Sequence, residues 1–356
     1  MSEKLRIAVL GIDHPHGMGW RESLTHVEDE LEITALMPAF DDATASLEER
    51  LAKLPRFDSV DSLLKKGGDL FDGALVCLPN DQGPDAVVQL AQAGKHILLE
   101  KPGAGNAVDA QRMAEAVRKA KVGFQSGFMW RYDELTNRLR DMVRDGRFGR
   151  LISVEMTYAT SNVDRRGPDH YLFDETQSGG GFFNWLACHH LDLLLYMLDE
   201  DITGVTARVG IFSNTETEVE DGGSAILDLA GGGLATFTGG YWHPRWANDV
   251  RWTLRGTERW VHWDPGRAST GGVLEIHGPQ PQFMAMDEVF ELPPDEVSGY
   301  GGQRMIDLLQ DWIRATREGS DCRNTPESTI ATLEVIDAIY NASEKAERVE
   351  CNIEAK

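Results

Sequence analysis

Lys101 is the residue whose type and position first indicate chemistry. It lies between Glu100 and Pro102, directly after the apolar run 95–99. Such a run predicts a buried strand, and open α/β sheets bind their ligands at the carboxyl ends of the strands. A lysine at that edge can donate to a developing oxyanion or act as a base. The tripeptide alone favours a solvated loop lysine, so the rest of the chain must decide between the two interpretations.

The first strand–turn–helix segment is where a dinucleotide-binding fold carries its glycine fingerprint. Its sequence is Gly11-Ile12-Asp13-His14-Pro15-His16-Gly17. Asp13 stands where the second glycine lets the backbone approach a pyrophosphate, and it puts a negative charge near that anion unless it caps the following helix. Met37-Pro38-Ala39 replaces the acid that binds ribose hydroxyls at the end of the second strand, with Asp41 and Asp42 beyond. The fingerprint by itself leaves dinucleotide binding open.

Strands and helices alternate over the first third of the chain. Apolar runs typical of buried strands fall at 5–12, 33–37, 73–78, 95–99 and 122–125. This alternation predicts a doubly wound parallel sheet of the Rossmann type. After about residue 126, paired strands separated by glycines predict an open-faced, mostly antiparallel sheet in an α+β domain. The fold class is therefore α/β plus α+β, with domains at 1–126 and 127–356.

Composition and charge restrict the class of protein. A chain of 356 residues, 41% hydrophobic and 26% charged, is typical of a soluble globular protein with about two domains. The net charge of -23 argues against nucleic-acid or anionic-membrane partners. No apolar run approaches the ~20 residues that span a bilayer. Because the first strand begins a few residues after Met1, we expect no signal peptide and a cytoplasmic location.

The four cysteines are Cys77, Cys188, Cys322 and Cys351. They are far apart and form no closely spaced pair. We therefore expect neither a disulfide framework nor a structural zinc site.

Motifs in order along most of the chain resemble the Gfo/Idh/MocA family of sugar and polyol oxidoreductases, named for glucose–fructose oxidoreductase and inositol dehydrogenase. The resemblance is carried by residues 93–102, 127–132, 146–149 and the stretch from Gly179-Gly180-Gly181 to Asp192. It implies NAD or NADP as cofactor and reversible oxidation of a secondary hydroxyl on a sugar, polyol or related compound. It also implies that the first domain binds the dinucleotide. The second domain would then bind substrate and form a homo-oligomer, a dimer or tetramer.

The resemblance implies roles for individual residues. Lys101 contacts the nicotinamide region and a substrate hydroxyl, and its bond to Pro102 is usually cis. In the second domain the family's histidine falls on His189 and its last acid on Asp192, whereas Trp185 replaces the first acid. These positions are i, i+4 and i+7 and share one face of a helix. Trp185 is interpreted either as a surface that stacks on a sugar ring or as a core residue.

The predicted site follows from these matches. Its catalytic residues are Lys101 and His189, and no metal is expected. The predicted cofactor contacts are Gly11, Ile12, Asp13, His14, Pro79, Asn80, Glu100, Lys101 and Pro102. The predicted substrate contacts are Met129, Trp130, Trp185, Asp192 and Tyr171. Trp130 stands where inositol dehydrogenase-like members commonly have Arg, which disfavours inositol itself.

Other functions stay open at this point. Some family members hold NAD permanently and use a transient oxidation for hydrolysis or elimination. Others sense a dinucleotide or metabolite without catalysis, which Asp13, Pro38 and Trp185 favour here. A metal site on His189, His190 and His170 is a weaker alternative, because adjacent histidines rarely share one ion; His190 is expected to be structural. No acid stands beside Pro38 to exclude a 2′-phosphate, and no Arg or Ser stands there to bind one. The sequence therefore does not choose between NAD and NADP.

Overall fold

The chain forms two compact units, each built from two stretches of sequence. The computed structural model describes residues 3–14, 16–40, 49–167, 169–213, 215–265, 272–278 and 288–356. The first unit comprises Met1–Tyr132 and Glu296–Ile330, and the second comprises Asp133–Asp295 and Ala331–Lys356. Asp41 and Asp42 lie outside the described residues.

The first unit contains a parallel sheet. Its strands are β1 (Leu5–Leu10), β2 (Leu31–Met37), β3 (Gly73–Val76), β4 (His96–Leu99) and β5 (Phe124–Ser126). They are ordered β2-β1-β3-β4-β5, with every neighbouring pair parallel. The strands are almost entirely buried, as expected where helices cover both faces of a sheet. The predicted doubly wound Rossmann-type sheet is confirmed.

Helices connect these strands. They are α1 (Gly17–Thr25), α2 (Glu49–Ala52), α3 (Val60–Gly67), α4 (Gly83–Gln92) and α5 (Ala107–Ala120). Two of them begin at capping side chains, because Ser59 accepts from the amide of Ser62 and Asn106 accepts from that of Asp109. Each cap satisfies an N–H group that the first turn of a helix leaves without an intrahelical partner.

The helix α10 (Gln303–Glu318) also belongs to the first unit, which differs from the predicted division after residue 126. Its apolar face buries Leu308, Leu309 and Trp312 completely, in one hydrophobic cluster with residues of β1, α1 and β2. A Cβ at Gly73 of β3 would lie 3.1 Å from the Trp312 indole. The sequence shows that this helix is amphipathic. It does not show that the helix packs on β1, α1 and β2, which lie more than a hundred residues earlier.

The second unit contains a nine-stranded sheet among its described residues. Its order is β13-β12-β11-β10-β6-β9-β8-β7-β14. The strands are β6 (Leu151–Ser161), β7 (Ile202–Gly210), β8 (Gly222–Leu229), β9 (Leu234–His243), β10 (Asn248–Gly256), β11 (Trp260–Asp264), β12 (Val273–His277), β13 (Glu288–Glu291) and β14 (Val349–Ile353). Only β6 and β9 pair in parallel. The predicted mostly antiparallel sheet is confirmed.

Five helices accompany this sheet. They are α6 (Glu134–Arg144), α7 (Val163–Arg166), α8 (Glu175–Ser178), α9 (Cys188–Leu198) and α11 (Pro326–Lys345), of which α11 starts in the first unit. Every residue of α9 is buried, including His189, His190 and Asp192. No helix in the described part of the chain has the length and apolar character needed to cross a membrane.

Candidate functional site

The turn after β1 leaves no room for a side chain at its first position. Gly11 has φ +71°, and a Cβ there would lie 2.0 Å from the carbonyl oxygen of Cys77. Its N–H donates to the carbonyl of Met37 at 2.7 Å. Gly11 therefore ties together the ends of β1, β2 and β3, at the carboxyl edge where doubly wound sheets bind nucleotides. A residue other than glycine would be strained there in both conformation and space.

Asp13 neither caps α1 nor stands free beside the turn. The helix has His16 at its N-cap without a side-chain cap bond. Instead, the two carboxylate oxygens of Asp13 accept hydrogen bonds from the backbone N–H groups of Ala39 and Phe40, each at 2.8 Å. Its negative charge is thus held at the end of β2, which is the second of the two strand ends that a dinucleotide contacts.

A cleft of about 700 Å³ opens at this edge of the first unit. Segments that follow β1, β2 and β3 line it, together with the start of α3 and one side of α4. Its charged lining residues are Asp13, Arg56, Asp58, Asp61, Asp81 and Asp85. Five carboxylates and one guanidinium among the described lining residues give the cleft a strongly negative character.

Glu100 and Lys101 are buried together after β4, with 3% and 1% of their surfaces exposed. The Lys101-Pro102 bond is cis, as the resemblance implies. The Trp20 indole donates to Glu100 Oε2, and His16 Nδ1 lies 3.8 Å from Glu100 Oε1. Burial alone would raise the pKa of Glu100, but the neighbouring His16, with the charges of Lys101 and His14, lowers it to about 2. The carboxylate therefore stays ionised in a buried cluster.

The remaining predicted cofactor residues lie at the same sheet edge. Ile12 and His14 are buried in the turn after β1, and His14 Nδ1 accepts from the N–H of His16 at 3.0 Å. Pro79 and Asn80 follow β3, where the Pro79 carbonyl accepts from the amides that begin α4. The structure thus brings the loops after β1, β3 and β4 together, as the sequence predicts.

Met129 and Trp130 lie on a single 3₁₀ turn, Met129–Tyr132, in the first unit. Met129 is buried in the hydrophobic cluster of that unit. The guanidinium of Arg304 lies 3.9 Å from the ring centroid of Trp130, which is a cation–π contact. One face of the Trp130 ring is therefore covered by α10, and the role of both residues as substrate contacts stays a prediction.

The glycine run of the second unit is fixed by a carboxylate that sequence analysis missed. Glu220 accepts from the amides of Gly181 and Phe183, at 2.7 and 2.9 Å, and from the Tyr340 hydroxyl at 2.9 Å. A Cβ at Gly180 would lie 2.3 Å from that hydroxyl oxygen. The close approach explains the glycines. No spacing in the sequence links Glu220 to them, since it comes 39 residues later.

The helix that follows contains a π-helical turn, Phe183–Ala187, before α9. Sequence analysis places Trp185, His189 and Asp192 on one face of a regular helix, so the π turn is a departure, and such turns recur at functional sites. Trp185 lies in it, 95% buried, with the Tyr171 ring edge-on at 6.1 Å between centroids. The structure thus brings together two of the predicted substrate residues.

His189 and Asp192 lie one and two turns further along this helical segment. Both are buried, with 7% and 1% of their surfaces exposed. Asp192 Oδ1 accepts from the Thr332 hydroxyl of α11 at 3.2 Å. Sequence analysis missed Thr332, which ties the acid to a helix 140 residues away.

His190 is structural, as predicted. Its Nδ1 accepts from the Trp252 indole at 3.0 Å, and burial lowers its pKa to about 3, so the ring is neutral. Among the residues that the structure describes, no three His, Cys, Asp or Glu side chains form a group that could hold a metal ion. His170, His189 and His190 therefore do not make the metal site considered as an alternative.

Comparison with known families gives two matches. Residues 5–128 match the family described as "Oxidoreductase family, NAD-binding Rossmann fold", and residues 136–262 match the "GFO/IDH/MocA C-terminal domain". The two matched segments follow one another along the chain, and together they cover more than two thirds of it.

Curated relatives and a solved structure agree with these matches. The myo-inositol 2-dehydrogenase of Thermotoga maritima is 26% identical over 212 residues, 60% of each protein. The inositol 2-dehydrogenase of Rhizobium meliloti is 30% identical over 166 residues, 45% of this chain and 48% of that protein. The matched segments thus span about half the length of these relatives. An oxidoreductase domain protein from Kribbella flavida has a similar fold, with a TM-score of 0.84 at 21% identity over 98% of this chain and 99% of that one.

Proposed function

Because the chain belongs to the Gfo/Idh/MocA family of NAD-binding oxidoreductases, we propose that it oxidises or reduces a secondary hydroxyl of a sugar, polyol or related compound. The observation that carries this proposal is Lys101, an almost fully buried lysine at the carboxyl edge of the parallel sheet. The relatives' names, inositol dehydrogenases among them, support a polyhydroxylated substrate.

The residues at that edge fit a dinucleotide. Gly11 allows β1, β2 and β3 to meet closely, and the cleft beside it has about 700 Å³ of space. The Asp13 carboxylate, which would oppose a pyrophosphate if it were unconstrained, is held by the amides of Ala39 and Phe40. We propose that Gly11, Ile12, His14, Pro79 and Asn80 contact the cofactor. Bound nicotinamide supplies the hydride acceptor or donor.

We propose Lys101 and His189 as the catalytic residues that handle the hydroxyl proton. Ionised Glu100 lies beside Lys101 in the same buried cluster. The ammonium can hydrogen-bond the hydroxyl oxygen and stabilise the alkoxide that forms as the hydroxyl proton leaves. His189 is then the proton acceptor, as a ring nitrogen commonly is in such reactions.

The proposed substrate contacts are aromatic, acidic and apolar side chains. Trp185 and Tyr171 offer adjacent aromatic rings, which suit the apolar faces of a sugar. Asp192 offers a carboxylate fixed by Thr332. Met129 and Trp130 are proposed to contact substrate from the first unit. No residue in this set commits the chain to one substrate.

We propose that the second unit also carries the surface for self-association, giving a cytoplasmic dimer or tetramer. Its sheet exposes large apolar side chains on five strands: Ile152, Ile226, Leu234, Trp260 and Val289. An interface would need several of these side chains to form one contiguous apolar patch. Light scattering on the purified protein tests this, and a monomer at all concentrations would exclude it.

The function is tested by nucleotide binding followed by turnover. Purified protein is titrated with NADH and NADPH, and a panel of sugars and polyols is then assayed by nicotinamide absorbance. Lys101→Ala and His189→Ala should each abolish turnover while circular dichroism shows that the protein is still folded. Lys119→Ala and His262→Ala, at exposed positions, serve as controls. Wild-type rates in both site variants would refute the assignment. Nucleotide binding without any turnover would favour a dinucleotide sensor. The observation that supports a sensor is that Trp185 replaces the first acid of the family's second-domain site.

A further inference from the structure

The Asp13 carboxylate accepts hydrogen bonds from the backbone N–H groups that follow β2. In dinucleotide-binding folds an acid at the end of β2 usually binds the ribose hydroxyls, and this chain has Pro38 and Ala39 there. Asp13 comes from a different loop, after β1, yet its two oxygens lie 2.8 Å from the N–H groups of Ala39 and Phe40. A carboxylate is therefore present at the end of β2, although no acid in the local sequence supplies it.

This carboxylate keeps capacity to bind a further donor. An ionised carboxylate has about four lone-pair sites on its two oxygens, and the two amides take one on each. Asp13 lines the open cleft and is half-buried, so the remaining sites face space that a ligand can enter. A vicinal diol, as in the ribose of NAD, carries two hydroxyl donors that match a carboxylate held by two backbone amides.

The same arrangement is unfavourable for a phosphate on the 2′-oxygen. Amides at the end of β2 are ready donors for such an anion, but here Asp13 already accepts from those of Ala39 and Phe40. A phosphate at that position would stand beside a like charge. Four further carboxylates line the cleft, and Arg56 is the one cation among its described lining residues.

We propose that Asp13 takes over the role of the missing acid at the end of β2 and makes the protein select NAD(H) over NADP(H). This inference rests on the proposed dinucleotide-dependent function and goes further, since it assigns the cofactor choice to a residue at a fingerprint position that normally holds glycine. Asp13 is a specificity-determining residue: the aspartate is positioned by the chain's own backbone before the cofactor arrives.

Equilibrium binding tests the assignment without any turnover. Dissociation constants for NADH and NADPH are measured by fluorescence titration at fixed ionic strength, for the parent and for Asp13→Asn and Asp13→Gly. Asn keeps the size but removes the charge, and Gly supplies the second glycine of the usual fingerprint. Glu32→Gln, an exposed acid on β2 outside the cleft, controls for the change in net charge. Circular dichroism and melting temperature confirm that each variant is folded.

We expect the parent to bind NADH roughly 10- to 100-fold more tightly than NADPH, the range of one like-charge contact in a partly exposed cleft. Either Asp13 variant should bring this ratio to within about threefold of one, while Glu32→Gln keeps the parent ratio. A parent that prefers NADPH would overturn the inference and point to Arg56 as the phosphate ligand. An NADH preference that survives in both Asp13 variants would overturn it as well. A parent that binds neither cofactor at millimolar concentration would instead overturn the proposed function, and this inference with it.

Discussion

Replacing Glu100 by Gln removes one buried negative charge with almost no change in shape. The carboxylate lies 3% exposed among Trp20, His16 and Lys101. Its amide analogue can still accept the Trp20 indole N–H, but it resembles the protonated carboxyl rather than the ionised one. The substitution therefore measures how much the surrounding positive charges stabilise the ionised form.

The size of the effect follows from the pKa. Against the opposing effect of burial, His16, Lys101 and His14 lower the pKa of Glu100 from 4.5 to about 2. Each factor of ten in acidity is ~1.36 kcal/mol, so the ionised carboxylate contributes about 3 kcal/mol at pH 7. Because the folded pKa is the lower one, this contribution is complete above pH 4.5 and is lost as the pH falls toward 2. At pH 3 about 1.4 kcal/mol should remain.

Urea unfolding of the parent and Glu100→Gln at pH 7, 5, 4 and 3 gives the two free energies at each pH. Titrating groups that do not interact with Glu100 cancel in their difference, which should shrink from about 3 to about 1.4 kcal/mol between pH 7 and pH 3. Glu115→Gln, an exposed acid on α5, should give a small and constant difference. A Glu100 difference that stays constant over this range would refute the idea that positive neighbours hold this carboxylate ionised.

Two other substitutions test contacts in the second unit. His190→Asn keeps an acceptor for Trp252 and removes a ring whose pKa burial lowers to about 3. The histidine of the unfolded chain takes up a proton near pH 6.5, whereas the buried ring does not. The free energy of unfolding of the parent should therefore fall by about 2 kcal/mol between pH 8 and pH 5, and that of the variant should not. Parallel stability curves would contradict this. Tyr340→Phe removes a donor from Glu220, and leaving that buried carboxylate oxygen without it should cost about 1–3 kcal/mol in urea unfolding. An unchanged midpoint would mean that the two glycine-loop amides suffice.

The sequence predicts the parallel sheet well because its strands are short apolar runs with helical patterns between them. It also identifies Lys101, since a lysine after a buried strand lies at the edge where ligands bind. What it cannot provide is the partner of each side chain. Asp13 bonds to amides 26 and 27 residues away, and Glu220 bonds to a glycine run 39 residues earlier. Such pairs have no periodicity and become visible only when the strands are packed.

The π turn shows a different limit of prediction from the sequence. Residues 182–198 have an apolar pattern that suits a continuous α-helix, and one extra residue in a turn changes that pattern little. Glu220 holds the amides of Gly181 and Phe183 where the turn begins, and it comes from a distant part of the chain. The spacing of Trp185, His189 and Asp192 therefore predicts a shared helical segment, but not its exact pitch.

The two-part first unit affects how the chain is made. Its hydrophobic cluster joins β1 and β2 to Leu308, Leu309 and Trp312, and about 160 residues separate the two stretches. At roughly 5–20 residues per second, the ribosome needs on the order of ten seconds to synthesise that gap. During this interval the emerging sheet lacks the helix that covers it, and its apolar surface is open to chaperones or to other nascent chains. Completion of the nucleotide-binding half is thus delayed until the other half has almost been translated.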